Sequence, residues 1–221
     1  MLSQHVGTNT DSELHPLIYP VIQVTLGAIR LNPSSQYFPL RFYLIESLLR
    51  LSRQTDVYIP LAPLLLEPLD SSLMKTSPSK KSESVLKPIE FETVLRVSSN
   101  YLSGPSSKVY RDQIGEKLCN LLAQYFELHA LNLAFPELVF PVLIAIKKWL
   151  KRHGGECGGK VRHLLQNLVE KLDEQAKWVE ERRRGLPFEP EKLSSGQKVT
   201  VENEMTTPLS KWIQKQKAMQ E

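Results

Sequence analysis

The chain has 221 residues, 41% of them hydrophobic and 24% charged, with a formal net charge of +4. These values exclude wholesale disorder and fit one sizeable core, or one elongated domain with a tail. A pI near 9.0 permits contact with phosphate without demanding it, and two cysteines, Cys119 and Cys157, are too few for a disulfide framework, so a reducing compartment is expected.

From the start of the chain, Met1 to Thr10 has neither a basic n-region nor an apolar h-region, so no secretory signal is expected. The most apolar stretches, Leu17–Leu31, Ile59–Leu69 and Leu131–Leu150, are each broken by polar residues or proline before the ~18 residues a membrane span needs. They read as buried helices of a soluble protein with no membrane partner.

Three segments repeat one design, in which an apolar or aromatic residue precedes a proline and a periodic apolar run. They are Tyr19-Pro20 leading to Leu31, Phe38-Pro39 leading to Leu51, and Ile59-Pro60 leading to Leu69, with a fourth copy at Phe140-Pro141 leading to Leu150. Proline suits the first helical turn, because the N–H it lacks has no intrahelical acceptor there. Each such proline therefore predicts a helix start. Their spacing of roughly 20 residues gives a helix pair per ~40, the period of HEAT-like repeats. In the second segment Leu44, Leu48 and Leu51 share one face, while Arg41, Glu46, Arg50 and Arg53 lie opposite, with Glu46 and Arg50 spaced to pair weakly.

Asp70 to Lys87 is rich in serine and lysine and reads as a mobile, disordered loop. Pro88 to Tyr101 fits both a strand and a helical turn, and an extended connector over 88–103, packed on helices, is the favoured reading. Tyr110 to His129 carries Ile114, Leu118, Leu121, Leu122 and Tyr125 on one stripe. Val161 to Arg183 does the same with Val161, Leu164, Leu165, Leu168, Leu172 and Val179. From Gly185 onward the chain reads as an extended tail, in which only 208–217 has the pattern of a short helix, with Leu209, Trp212 and Ile213 as anchors. The fold expected is all-α: a HEAT/armadillo-like α-solenoid of antiparallel helix pairs over 12–184, followed by the tail.

Little in the chain suggests chemistry. Gly154-Gly155-Glu156-Cys157-Gly158-Gly159-Lys160 matches G-x-x-x-x-G-K, but Val161 stands where a magnesium-binding Ser or Thr belongs. A basic helix end, not a buried strand, precedes it, so a glycine-rich helix–helix loop is the favoured reading. His153, Cys157 and His163 do not close a structural zinc site. Neither a nucleophile elbow nor a Cys–His signature is present. Glu170, Asp173 and Glu174 read as a solvated helix face. No cofactor, metal, small-molecule substrate or catalytic residue is expected.

Two features point to binding. Lys147, Lys148, Lys151, Arg152, Lys160, Arg162, Arg182, Arg183 and Arg184 form a basic set that would meet RNA phosphate if it lined one stripe, and is otherwise a solvated surface. The apolar surplus around Phe135 and Phe140, with Trp212 further on, offers docking anchors for a partner, or else an internal core.

Several blocks together resemble the nucleolar complex protein 2 family. They are LIYPVIQVTLGAIRLNPSSQYFPLRFYLIESLLRLS, YIPLAPLLLEPLD, KPIEFETVLRVSSNYL, VYRDQIGEKLCNLLAQYFELHA, FPELVFPVLIAIKKWLKR and the closing TPLSKW, Thr207 to Trp212. The resemblance spans roughly His15 to Gln214 and matches the C-terminal portion of longer proteins. It implies a nucleolar and nucleoplasmic assembly factor for the large (60S) ribosomal subunit. Such a factor acts in complexes with sister nucleolar complex proteins, associates with pre-60S particles and their pre-rRNA, and supports maturation and intranuclear transport. It carries over no catalytic residues.

Overall fold

The computed structural model describes residues 14–76, 87–103, 106–184 and 207–218. These residues form helices, 3-10 turns and irregular connections, with no β-strand among them. The helices are α1 (Ile18–Leu31), α2 (Phe38–Thr55), α3 (Ala62–Leu66), α4 (Ser72–Lys75), α5 (Ser106–Leu128), α6 (Phe135–His153), α7 (Gly159–Arg184) and α8 (Pro208–Ala218). The chain divides into two compact units. The first is Met1–Leu121 with Glu156–Gly158, and the second is Leu122–Gly155 with Gly159–Glu221.

In the first unit, α1 packs on α2. Pro39 occupies the first turn of α2, preceded by Ser34, whose hydroxyl accepts from the Gln36 N–H at 3.4 Å. Asp56, with φ 54°, ends α2 in the left-handed region. The Ile59–Leu69 run is not the single helix its apolar pattern predicts. It divides into α3 and a 3-10 turn over Glu67–Asp70, and Pro63 and Pro68 both fall in first turns, where the N–H that proline lacks has no intrahelical acceptor.

The segment expected to be a mobile loop begins with ordered chain. Leu73 and Met74 of α4 are buried, while residues 77–86 lie outside the described residues. Residues 88–98 are irregular. They are held by Val97 N–H donating to Gln36 O (2.9 Å) and by Gln113, whose amide both accepts from Ile89 N–H (2.9 Å) and donates to Ile89 O (2.8 Å). Aromatic rings tie this segment into the core: Phe42 meets Phe91 edge-on at 6.0 Å, and Phe91 stacks on Tyr110 at 6.3 Å.

Arg41, placed by periodicity on the polar side of α2, is instead only 4% exposed. It donates to the Leu64 carbonyl (3.2 Å) and pairs with Glu67. A buried guanidinium needs such partners, and the turn after α3 supplies them. Glu46 likewise pairs not with Arg50 but with Lys117 (3.1 Å), which also reaches Glu92 (3.5 Å).

The second unit is built on α6 and α7, with α8 packed on α7. The two long helices are antiparallel, since Arg183 near the end of α7 reaches Glu137 (2.6 Å) and the Leu133 carbonyl (3.4 Å) at the start of α6. Helix α6 starts at Phe135-Pro136, not at Phe140-Pro141; Pro141 lies inside it. The earlier Phe-Pro pair supplies the first turn, and Pro141 on the exposed side is tolerated because water can satisfy the carbonyl it leaves unbonded.

Candidate functional site

The helical period decides what α6 presents outward. Phe135, Val139, Val142, Leu143, Ile146 and Trp149 face the core, and Phe135 and Val139 are fully buried. The opposite face carries Phe140 (62% exposed), Pro141 and Ile144 (49% exposed), then Lys147, Lys148, Lys151 and Arg152 one to three turns on. Glu137 also lies on this side, held by Arg183. Of the apolar docking anchors read from sequence, Phe135 is a core residue, edge-to-face with Phe126 at 6.0 Å, because it sits on the inward face at the helix start. Phe140 is exposed, and Trp212 is half-buried on α8.

The basic residues do not form one run. Lys147, Lys148, Lys151 and Arg152 end α6, and Lys160 and Arg162 begin α7; all six are exposed. Arg182, Arg183 and Arg184 lie about 30 Å away from Arg162 at a helical rise of 1.5 Å per residue. Two of these three are engaged. The Arg182 guanidinium sits over the Trp178 ring at 3.5 Å, and Arg183 is held at the start of α6. Arg184 is exposed.

The glycine-rich stretch follows α6. Gly154 closes that helix, its N–H donating to Leu150 O at 2.9 Å, and a Cβ there would collide with the same carbonyl oxygen. Gly158 has φ 90°, a conformation that favours glycine. Within the first unit, Arg111 is 2% exposed and donates to Glu156 O at 3.3 Å, and its Nε has no hydrogen-bond partner among the described residues. Burial lowers its pKa, opposed by Asp112 and Cys157. No buried strand precedes the stretch, so the context of a phosphate-binding loop is not present. Among the described residues no group of three or more His, Cys, Asp or Glu is placed to hold a metal ion, and no helix is long and apolar enough to cross a membrane.

The TPLSKW block has a local physical basis. Thr207 precedes α8; its hydroxyl accepts from Ser210 N–H (3.1 Å) and donates to Ser210 Oγ (2.8 Å), and Pro208 opens the helix. Leu209 and Ile213 are buried. Fully buried Gln175 of α7 joins three segments: its amide nitrogen donates to Ala130 O (2.8 Å), and its amide oxygen accepts from Leu209 N–H (3.2 Å). Neither Gln175 nor Arg41 is singled out by composition or motif. Gln175 has a detectable signal, since it falls on the stripe of Leu168, Leu172 and Val179, and a polar residue on an apolar stripe needs a partner.

The architecture defines the class as an all-helical protein of amphipathic helices with an exposed apolar and basic helix face. The sequence model described as the Noc2p family matches residues 1–216, so the chain belongs to that family. An NOC2 family protein of Schizosaccharomyces pombe is 44% identical over 179 residues, covering 81% of this chain and 24% of the relative. Nucleolar complex protein 2 of Drosophila melanogaster is 38% identical over 172 residues, covering 77% and 21%. Nucleolar complex-associated protein 2 of Arabidopsis thaliana is 25% identical over 187 residues, covering 85% and 23%. The chain thus spans about a quarter of the length of these relatives.

Proposed function

We propose that this chain is a non-catalytic scaffold in ribosome biogenesis. It acts in the nucleolus and nucleoplasm, in the assembly and intranuclear transport of large-subunit (60S) precursors, through complexes with other nucleolar complex proteins. The observation that carries the reading is membership of the Noc2p family over nearly the whole chain, with relatives named as nucleolar complex proteins. The helical construction fits it: stacked amphipathic helices offer long surfaces for holding partners in place, after the manner of HEAT-like repeats. The test is affinity purification of the tagged chain from nuclear extract. Sister nucleolar complex proteins and large-subunit precursors are expected to co-purify, and recovery of the chain without any of them rejects the reading.

A second reading is direct contact with pre-rRNA. It is favoured by one observation, the six exposed cations Lys147, Lys148, Lys151, Arg152, Lys160 and Arg162 at the junction of α6 and α7. Contact with phosphate weakens steeply and linearly in log–log form as salt rises. Filter binding of an rRNA fragment across a salt series tests this, and binding that is absent or independent of salt rejects it.

A further inference from the structure

We propose that the outward face of α6 is the docking surface for a helix of a partner protein, antiparallel to α6, whose first two turns are acidic and whose following turns carry apolar anchors. This rests on the scaffold reading above and names the partner chemistry that one of its surfaces would take.

The face has two halves. Phe140 and Ile144 stand one turn apart and are 62% and 49% exposed, with Pro141 beside them. Such i,i+4 pairs are the contacts by which amphipathic helices seat on one another. Lys147, Lys148, Lys151 and Arg152 follow, all exposed and none in an ion pair with a described residue. The one acid on this side, Glu137, is already held by Arg183. From Phe140 to Arg152 is about 18 Å of helix, so a single helix of ordinary length covers both halves.

Charge complementarity and the apolar half together select the occupant. Four unpaired cations call for carboxylates or phosphates. Phosphate alone leaves Phe140 and Ile144 uncovered, and although a base could stack on Phe140, Ile144, near the centre of the face, has no ring to take one. An acidic, apolar-faced helix satisfies both halves.

Its direction follows from the helix dipoles. The cations stand at the C-terminal end of α6, where they complement its dipole. An antiparallel partner brings its N-terminus there, and acidic residues in its first turns suit both its own dipole and the lysines.

The experiment measures fluorescence anisotropy of a labelled peptide of about 18 residues, with Asp and Glu in its first two turns and leucines spaced four apart thereafter, against the full chain. The same peptide with its halves exchanged, and a single-stranded RNA oligonucleotide, serve as comparators. The acid-first peptide is expected to bind roughly tenfold or more tightly than the exchanged one. Phe140→Ala and Lys148→Glu/Lys151→Glu are each expected to weaken it roughly tenfold. All three positions are exposed, and an unchanged circular dichroism melt separates lost binding from lost folding. Equal binding by wild type and variants overturns the proposal. So does RNA binding that depends on Lys148 and Lys151 with no binding of the peptide.

Purification from nuclear extract with wild type and Phe140→Ala/Lys148→Glu/Lys151→Glu then separates the two levels. Sister proteins recovered equally by both refute this surface and leave the scaffold reading standing. Their absence from the wild-type sample refutes the scaffold reading, while the peptide measurement still decides the surface.

Discussion

Replacing Gln175 with leucine should release α8 before it unfolds anything else. The leucine fits the volume but offers no polar atom, so the buried Ala130 carbonyl and Leu209 N–H both lose their partner. A stranded buried group costs about 1–3 kcal/mol, and two cost about 2–6. Burying a methyl-bearing side chain in place of an amide offsets part of this, leaving a net loss of about 1–4 kcal/mol. The apolar side chains docking α8 are chiefly Leu209 and Ile213, worth about 1.5–3 kcal/mol each when fully buried. The loss is therefore comparable with the whole apolar anchorage of α8, and local release is favoured over global unfolding. Amide hydrogen exchange is the assay. In Gln175→Leu the α8 amides should exchange roughly fivefold or more faster, while those of α6 keep their protection. Thr207→Ala, which removes the cap and the hydroxyl's bond to Ser210 Oγ but leaves the Gln175 contacts, should cost about 1 kcal/mol in the same amides. A Gln175→Leu chain whose α8 exchange matches wild type within about 0.5 kcal/mol would refute the idea that this amide holds the helix down.

Other outcomes follow from buried polar groups in the first unit. Glu67→Ala, which strands the buried Arg41 guanidinium, should cost about 2–3 kcal/mol by urea denaturation; adding Arg41→Leu should recover part of that, and simple additivity of the two losses would reject a coupled pair. Burial raises the Tyr110 pKa far above its usual 10.0, and its hydroxyl donates to Ser35 O at 2.7 Å. The folded state thus holds a proton that the unfolded state releases. Tyr110 stabilisation is complete below pH ~10 and declines above it, by up to about 1.4 kcal/mol per pH unit. Tyr110→Phe should show a shallower alkaline decline, and an identical slope would contradict this. Burial pushes the Cys119 thiol up to about 12, assisted by Glu116, and Cys157 is fully buried. Iodoacetamide at pH 8 should label neither in the native chain and both in denaturant, whereas rapid native labelling of Cys119 would show its burial is wrong.

The sequence makes the long helices plain because their burial is regular. The stripe from Val161 to Val179 is the core face of α7, and that of Ile114, Leu118, Leu121 and Leu122 is buried along α5. Proline is a weaker guide. At Pro39 it falls in a first turn, but at Pro141 it lies mid-helix, because permission to start a helix does not forbid a proline one turn later on the wet side. Arg41 is misplaced by periodicity because its burial depends on a carboxylate 26 residues on, which no local pattern encodes. The basic residues are legible one by one. Six of them already lie together in sequence over 147–162, and Arg182 is spaced i,i+4 from Trp178, but that Arg183 is held at the start of α6 depends on the antiparallel packing of α6 and α7, which sequence spacing does not show.

Pro141 adds something that neither apolarity nor charge provides. Having no N–H, it leaves the Glu137 carbonyl without its usual donor, on the side of α6 that also carries Phe140. Solvent can serve that oxygen while the side is open to it. Any helix that covers it without offering a hydroxyl or ammonium group at that point forfeits about 1–3 kcal/mol. For the helix proposed to dock there, one oxygen would work as a ruler mark: a helix seated a turn too high or too low would miss it, so alignment along α6 would be read by a single directional bond.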